Sequence, residues 1–165
     1  SIWTAGCNNH CKGCWAQHTW NPLQGRPTSE CMQEIEEILK TNDIDGVSIL
    51  GGDPLFSTFN EGSSDDLIAI IDLCKSYGKS VWVWSGYSLD DIYHTDKRVL
   101  EKIDVLVEGK YDESKRDLNL FYRGSSNQRV IFMEAPSYGV EYKHYVLSLL
   151  DDGYSLEECN GESDK

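Results

Sequence analysis

The sequence predicts an α/β fold: a mainly parallel sheet of about five to six strands with flanking helices. Two observations carry this. Short β-prone runs alternate with segments of helical periodicity along the chain, which implies strand–helix–strand units joined by right-handed crossovers. The residues with the most chemistry also fall just after the β-prone runs, where the loops following parallel strands build sites.

The elements follow in order. Ser1 to Thr4 is β-branched and aromatic and feeds directly into a loop holding Cys7, Cys11 and Cys14. After a loop over Asn21 to Pro27, Met32, Ile35, Ile38 and Leu39 recur at helical spacing, with Thr28 or Ser29 as N-cap. Val47, Ile49 and Leu50 form a second strand that ends at Gly51-Gly52. Ser63 with Asp66 resembles a capping box opening a helix whose buried stripe is Leu67, Ile70, Ile71, Cys74 and Tyr77. Gly78 ends that helix, and Ser80 to Trp84 is a third strand stopping at Ser85-Gly86. A short helix is expected over Asp96 to Lys102, a fourth strand over Val105 to Val107 and a fifth over Arg129 to Met133. The sheet is either open and doubly wound or a partial β/α barrel. From Ala135 the character changes to a Pro/Gly turn, an amphipathic helix over Glu141 to Leu150, and an acidic, mobile tail over Asp151 to Lys165. The predicted organisation is one domain over 1–134 followed by a C-terminal helix and tail over 135–165.

Composition sets outer limits. A chain of 165 residues supports one hydrophobic core, and no apolar run approaches the roughly 20 residues of a membrane span. A formal net charge of -13 disfavours nucleic acid, whose affinity comes largely from Lys and Arg on phosphates. Three of the six cysteines crowd into eight residues, a pattern of metal binding and not of a disulfide framework. With no export leader ahead of the first strand, a reducing cytoplasm is expected. The chain opens at Ser1, without Met, on a strand, so residues are expected upstream and the first strand is expected to be truncated.

Cys7-x-x-x-Cys11-x-x-Cys14 sets three thiolates on one loop, with Gly6 and Gly13 freeing its backbone. In a four-iron cubane three ligands leave one iron open, as an open position distinguishes a catalytic zinc from a structural one. The same thiolates with His10 or His18 would equally suit a structural zinc site.

The series Thr4-Ala5-Gly6-Cys7, Gly13-Cys14, Thr19-Trp20, Gly51-Gly52-Asp53-Pro54-Leu55, Trp82 to Tyr87, Asp104 to Lys110 and Arg123 to Arg129 resembles the radical S-adenosylmethionine superfamily. Within it, the chain is similar to the activating proteins of anaerobic (class III) ribonucleoside-triphosphate reductase, in order and spacing from Ser1 to about Ile131. The resemblance implies a partial β/α barrel of the radical S-adenosylmethionine type. It implies a [4Fe-4S] cluster on Cys7, Cys11 and Cys14, with S-adenosyl-L-methionine chelated at the open iron. Reductive cleavage would give a 5'-deoxyadenosyl radical that makes a glycyl radical on the reductase, with a low-potential donor such as flavodoxin. Two other readings stand beside it: an activase of another glycyl-radical enzyme, of the pyruvate formate-lyase kind, and a small zinc-binding interaction module.

Site residues follow from both sources. Gly51 and Gly52 let backbone carbonyls approach a ligand ammonium and Pro54 stiffens the exit; by resemblance Gly51, Gly52, Asp53 and Pro54 hold the methionine end of the cofactor. Ser85 is a hydrogen-bonding contact. Glu108 is placed for a ribose hydroxyl or the sulfonium, with Lys110 beside it. Gly13 stands where many superfamily members carry an aromatic residue, so Trp15 is the candidate to pack on adenine; Ala16 replaces a common Asn. The stretch from Arg123 to Arg129 is either a cofactor contact or a docking surface for the reductase.

Overall fold

The computed structural model describes residues 1–41, 43–133, 144–150 and 153–159, the last two stretches as backbone alone. Among the described residues one sheet holds β1 (Ile2–Thr4), β2 (Gly46–Gly51), β3 (Ser80–Ser85), β4 (Val105–Glu108), β5 (Arg129–Met133), β6 (His144–Leu150) and β7 (Gly153–Cys159), side by side in chain order. β1 to β4 pair in parallel, with Ile2 opposite Ile49, Val47 opposite Val81 and Val83 opposite Leu106. α1 (Thr28–Thr41) crosses from β1 to β2, α2 (Phe56–Asn60) and α3 (Asp65–Ser76) from β2 to β3, and α4 (Leu89–Asp96) from β3 to β4.

The period-two pattern of the strands bears on the two architectures. Ile49, Val81, Val83, Leu106 and Ile131 have no exposed surface and pack in one core with Leu39, Leu67, Ile71, Cys74 and Ile92 from the helices. Each such side chain contributes roughly 1.5–3 kcal/mol on burial. A second cluster joins Val105, Val107 and Val130 with Trp82, Trp84 and Phe132, all from strands. Helix residues thus join one core only, and the strand order never reverses, whereas a doubly wound sheet reverses its order and covers both faces. This progression is consistent with a partial β/α barrel.

Several expectations are refined or corrected. The expected parallel sheet holds through β1 to β4, and beyond it β5 runs antiparallel to β4, and β6 and β7 continue antiparallel. The connection from β4 to β5 holds only a short 3-10 turn, Glu113–Lys115, and without a crossover helix the chain returns in the opposite direction. Residues 144–150, expected within a helix, form β6, and residues 153–159, expected in a mobile tail, form β7, with Leu150 opposite Gly153. Short apolar runs such as Tyr145 to Leu150 fit helix and strand periods alike. The Pro/Gly turn at 135–140 and the end of the tail at 160–165 lie outside the described residues.

The remaining two corrections concern helix starts. The short helix is Leu89–Asp96 and not the stretch to Lys102, because Ser88 and Asp91 form a reciprocal capping box. α3 begins with Ser64 as N-cap and no side-chain cap; Ser63 Oγ accepts from Asp65 N, at 3.2 Å, and Ser64 instead shares a buried hydrogen bond with Thr58 at 2.9 Å. In α1 only Leu39 is fully buried, while Ile38 is 48% exposed.

One ion pair gives a pH prediction. Arg98 Nη2 lies 2.7 Å from Asp96 Oδ2 and Arg98 Nε lies 2.8 Å from Asp96 Oδ1. These bonds hold the Asp96 carboxyl down at about 2 from an ordinary 3.8. A depressed acid contributes stability above its unfolded value and loses it as pH falls through the folded one. Asp96→Asn should therefore cost about 1 kcal/mol at pH 7, after discounting for the exposed arginine. The difference from wild type should shrink between pH 4 and pH 2, as read by thermal melts across that range.

Candidate functional site

The loop from Ala5 to Trp20 is stitched to its neighbours by backbone. Gly6 N donates to Thr19 O at 2.8 Å and Cys7 N to Trp20 O at 3.1 Å, while Gly52 N donates to Thr4 O at 2.9 Å and Asp53 N to Gly6 O at 2.7 Å. The last two bonds extend the β1–β2 ladder past the strand ends and set the cysteine loop against Gly51-Gly52. Glycine is required there. Gly51 has φ 122°, and a Cβ at Gly52 would overlap the Gly6 carbonyl.

Cys7, Cys11 and Cys14 line one cavity of about 610 Å³ with Gly51, Gly52, Asp53, Ser85, Gly86, Trp3, Trp15, Trp84 and residues of the 109–128 loop. Cys7, Cys11, Cys14, Cys31 and Cys74 are all free thiols. Burial pushes the Cys7 and Cys11 thiols up; the backbone N–H groups of Asn9 toward Cys7 and of Tyr111 toward Cys11 oppose it, and the charges of Cys7 and Cys14 push Cys11 up further. Thiols that crowd and repel in this way suit a metal centre, which binds them as thiolates and compensates their charge. Among the described residues no three Cys, His, Asp or Glu side chains converge where a single metal ion could sit; a four-iron cluster takes its thiolates on separate irons and spreads them wider. His10 stacks on Trp20 and His18 on Trp3, and neither lines the cavity.

Asp53 is 2% exposed and is the hub of the site. Its Oδ1 accepts from Leu55 N at 3.0 Å and Ser85 Oγ at 2.9 Å; its Oδ2 accepts from Gly86 N and from Asn9 Nδ2, both at 2.9 Å. Burial pushes this carboxyl up, and the four donors pull it down. A carboxylate offers about four lone-pair sites, and all are taken within the protein. Asp53 therefore ties three strand-end loops together and has no acceptor left for a ligand. Ser85, 6% exposed, is engaged likewise, donating to Asp53 and accepting from Tyr87 N at 3.1 Å. Pro54 is buried and does not line the cavity.

Glu108 lies apart from the cavity lining. It is 4% exposed, accepts from Arg129 Nε, and caps α4 by accepting from Leu89 N at 3.1 Å. Lys110 does not line the cavity either. The carboxylate is drawn away by the cation opposite it in the β4–β5 ladder. Trp15 stands at the cavity mouth, 76% exposed, with Trp3 edge-on to it at 5.2 Å. Gly13 has a structural reason: its φ of 75° lies in the left-handed region that L side chains rarely adopt; beside it Glu113 pairs with Lys12 at 3.2 Å.

Asn9, not singled out from sequence, and Arg123, from the stretch read as a cofactor contact or a docking surface, both matter here. Asn9 reaches across to Asp53 and packs over Gly86; its place between cluster cysteines was the available signal. Arg123 lines the cavity, and its Nε is buried without a hydrogen-bond partner. A donor left so costs about 1–3 kcal/mol.

Over residues 1–131 the chain matches the 4Fe-4S single cluster domain family. It is similar to proteins named anaerobic ribonucleoside-triphosphate reductase-activating protein. The one from Escherichia coli (strain K12) is 34% identical over 136 residues, covering 79% of this chain and 85% of the relative. The Salmonella typhimurium protein is 35% identical with the same coverage, and that of Enterobacteria phage T4 is 32% identical over 130 residues, 78% of this chain and 80% of the relative. No solved structure gives a significant match.

Proposed function

The chain belongs to the family of anaerobic ribonucleoside-triphosphate reductase-activating proteins, and on that premise we propose that it is the S-adenosylmethionine-cleaving activase of such a reductase, with a radical S-adenosylmethionine partial barrel. The observation that supports this most is the convergence of Cys7, Cys11 and Cys14 with the Gly51-Gly52 backbone on one cavity at the strand ends. When bound, a [4Fe-4S] cluster on these cysteines supplies the electron that splits S-adenosylmethionine into methionine and a 5'-deoxyadenosyl radical, which takes hydrogen from a glycine of the reductase. The chain's own residues bind, orient and exclude water.

Gly51 and Gly52 offer backbone unshielded by side chains to the amino-acid end of the cofactor. Trp15, with Trp3 behind it, offers a ring face to the adenine. Asp53, Asn9 and Ser85 position the loops and touch no reacting atom. The antiparallel return of β5 carries the 109–128 loop across the cavity wall, where Trp84 Nε1 holds it by donating to Tyr122 O at 2.7 Å. The electron donor is a low-potential protein of the flavodoxin kind, and the setting is the reducing cytoplasm, where thiolates stay free for iron.

Anaerobic reconstitution with iron and sulfide, then dithionite and S-adenosylmethionine, should yield 5'-deoxyadenosine, and with the reductase a glycyl-radical signal in electron paramagnetic resonance. A folded, cluster-loaded sample producing no 5'-deoxyadenosine would overturn the reading. Formation of 5'-deoxyadenosine without a radical on the reductase would leave cleavage standing and remove the partner.

A further inference from the structure

We propose that Asn60 of α2, acting through Asn8, is a positioning residue for the cluster: it holds the backbone N–H groups of Asn9 and His10 on the Cys7 sulfur and so raises the cluster's reduction potential. The inference rests on the cluster chemistry proposed above. Of the three cysteines Cys7 is the buried one, 6% exposed, whereas Cys11 and Cys14 are half-buried. Its sulfur is surrounded by protein more than by water, and a hydrogen bond there is electrostatically stronger than in solvent. The N–H groups of both Asn9 and His10 are directed at it. Such bonds favour the more negative, reduced form of a cluster, which is how donors to the sulfurs tune its potential.

Two successive N–H groups meet one sulfur only where the backbone curls. His10 supplies the curl with φ 44°, in the left-handed region that side chains rarely adopt and that concentrates at functional sites. Three anchors outside the loop hold this turn. Asn8 Nδ2 donates to Asn60 Oδ1, Asn9 Nδ2 donates to Asp53 Oδ2 at 2.9 Å, and the His10 ring lies against that of Trp20 at 4.6 Å. Asn60 is fixed in turn to its own helix, donating to Phe56 O at 2.7 Å, and Phe56 packs so closely on Gly6 that a Cβ there would overlap its ring. α2 thus grips the loop on either side of Cys7, at Gly6 through Phe56 and at Asn8 through Asn60. Neither Asn8 nor Asn60 lines the cavity, so the pair acts through the loop backbone. Both side chains are exposed, and replacing them should leave the fold standing.

The test reads the cluster's potential on the full chain, anaerobically and without turnover, by electron paramagnetic resonance at a series of fixed solution potentials. Asn8→Ala and Asn60→Ala should each lower the ratio of reduced to oxidised cluster at a given potential by about 3–10-fold, tenfold being 59 mV for one electron. The double variant should match the singles, because the two side chains form one contact. Iron and sulfide content and melting midpoint should stay at wild-type values. Asn8→Ala lies off the helix and carries the comparison should Asn60→Ala disturb α2. Loaded variants with the potential of wild type would overturn the assignment and leave the pair a surface contact. Additive shifts in the double variant would also overturn it, since the two side chains would then act separately, and so would variants that fold but load no cluster. A wild type that loads no four-iron cluster would overturn the proposed function itself, whereas a difference confined to the variants bears on this inference alone.

Discussion

Cys11→Ala is expected to remove the cluster and the cleavage of S-adenosylmethionine together. Cys11 lies between Cys7 and Cys14 in the loop, and burial, then the charges of Cys7 and Cys14, push its thiol up. Deleting one leaves two protein ligands for a cluster that needs three thiolates to hold it while one iron stays open. Because the ligands act as a unit, the loss should be roughly 1,000-fold or more in 5'-deoxyadenosine formed per chain, with no graded remainder. The reconstituted variant should hold little iron and lack the brown absorption of the wild type. Cys31→Ala is the control: Cys31 stands on α1, outside the cavity, and should leave iron content and turnover unchanged. Full turnover by Cys11→Ala would show that the cluster is held by other ligands.

The first four strands and the long crossover helices α1 and α3 were legible because each carries a local signal: β-branched runs, and helical stripes such as Leu67, Ile70, Ile71 and Cys74; α2 and the true place of α4 were not. The cysteine loop and Gly51-Gly52 were legible for the same reason, since spacing and missing side chains are visible in the chain itself. Pairings made in three dimensions were not. Glu108 reads as a ligand at the end of a strand, and only the antiparallel return of β5 shows Arg129 placed to capture it. Direction of that return depended on the lack of a helix in a long loop, which no local pattern announces. Likewise Ser85 and Asp53 carry the residue types of a binding site. Their atoms, however, are spent on each other and on Asn9 and Gly86.

That distinction between holding and binding makes the second large effect counterintuitive. Asp53→Asn, nearly isosteric and uncharged, should damage the protein. Each oxygen of Asp53 receives two donors, so whichever oxygen becomes an NH2 group faces two donors in place of accepting from them. If the amide turns its nitrogen toward Oδ2's place, Gly86 N and Asn9 Nδ2 lose their partner; the reverse turn strands Leu55 N and Ser85 Oγ. Two buried donors without acceptors cost about 2–4 kcal/mol in total, on the order of 5–15 °C in melting midpoint for a chain of this length. Asn9→Asp added to Asp53→Asn restores an acceptor opposite the new NH2 and should recover about half, leaving Gly86 N unpaired. Such recovery, measured as a double-mutant cycle on the cluster-loaded protein, separates a broken hydrogen-bond hub from loss of a charge needed by the cofactor. If Asp53→Asn melted within a degree or two of wild type yet bound S-adenosylmethionine poorly, Asp53 would be a ligand contact and the hub assignment would fail. The prediction that Asp53 acts through the three loops it joins therefore requires stability and binding to fall, and to recover, together.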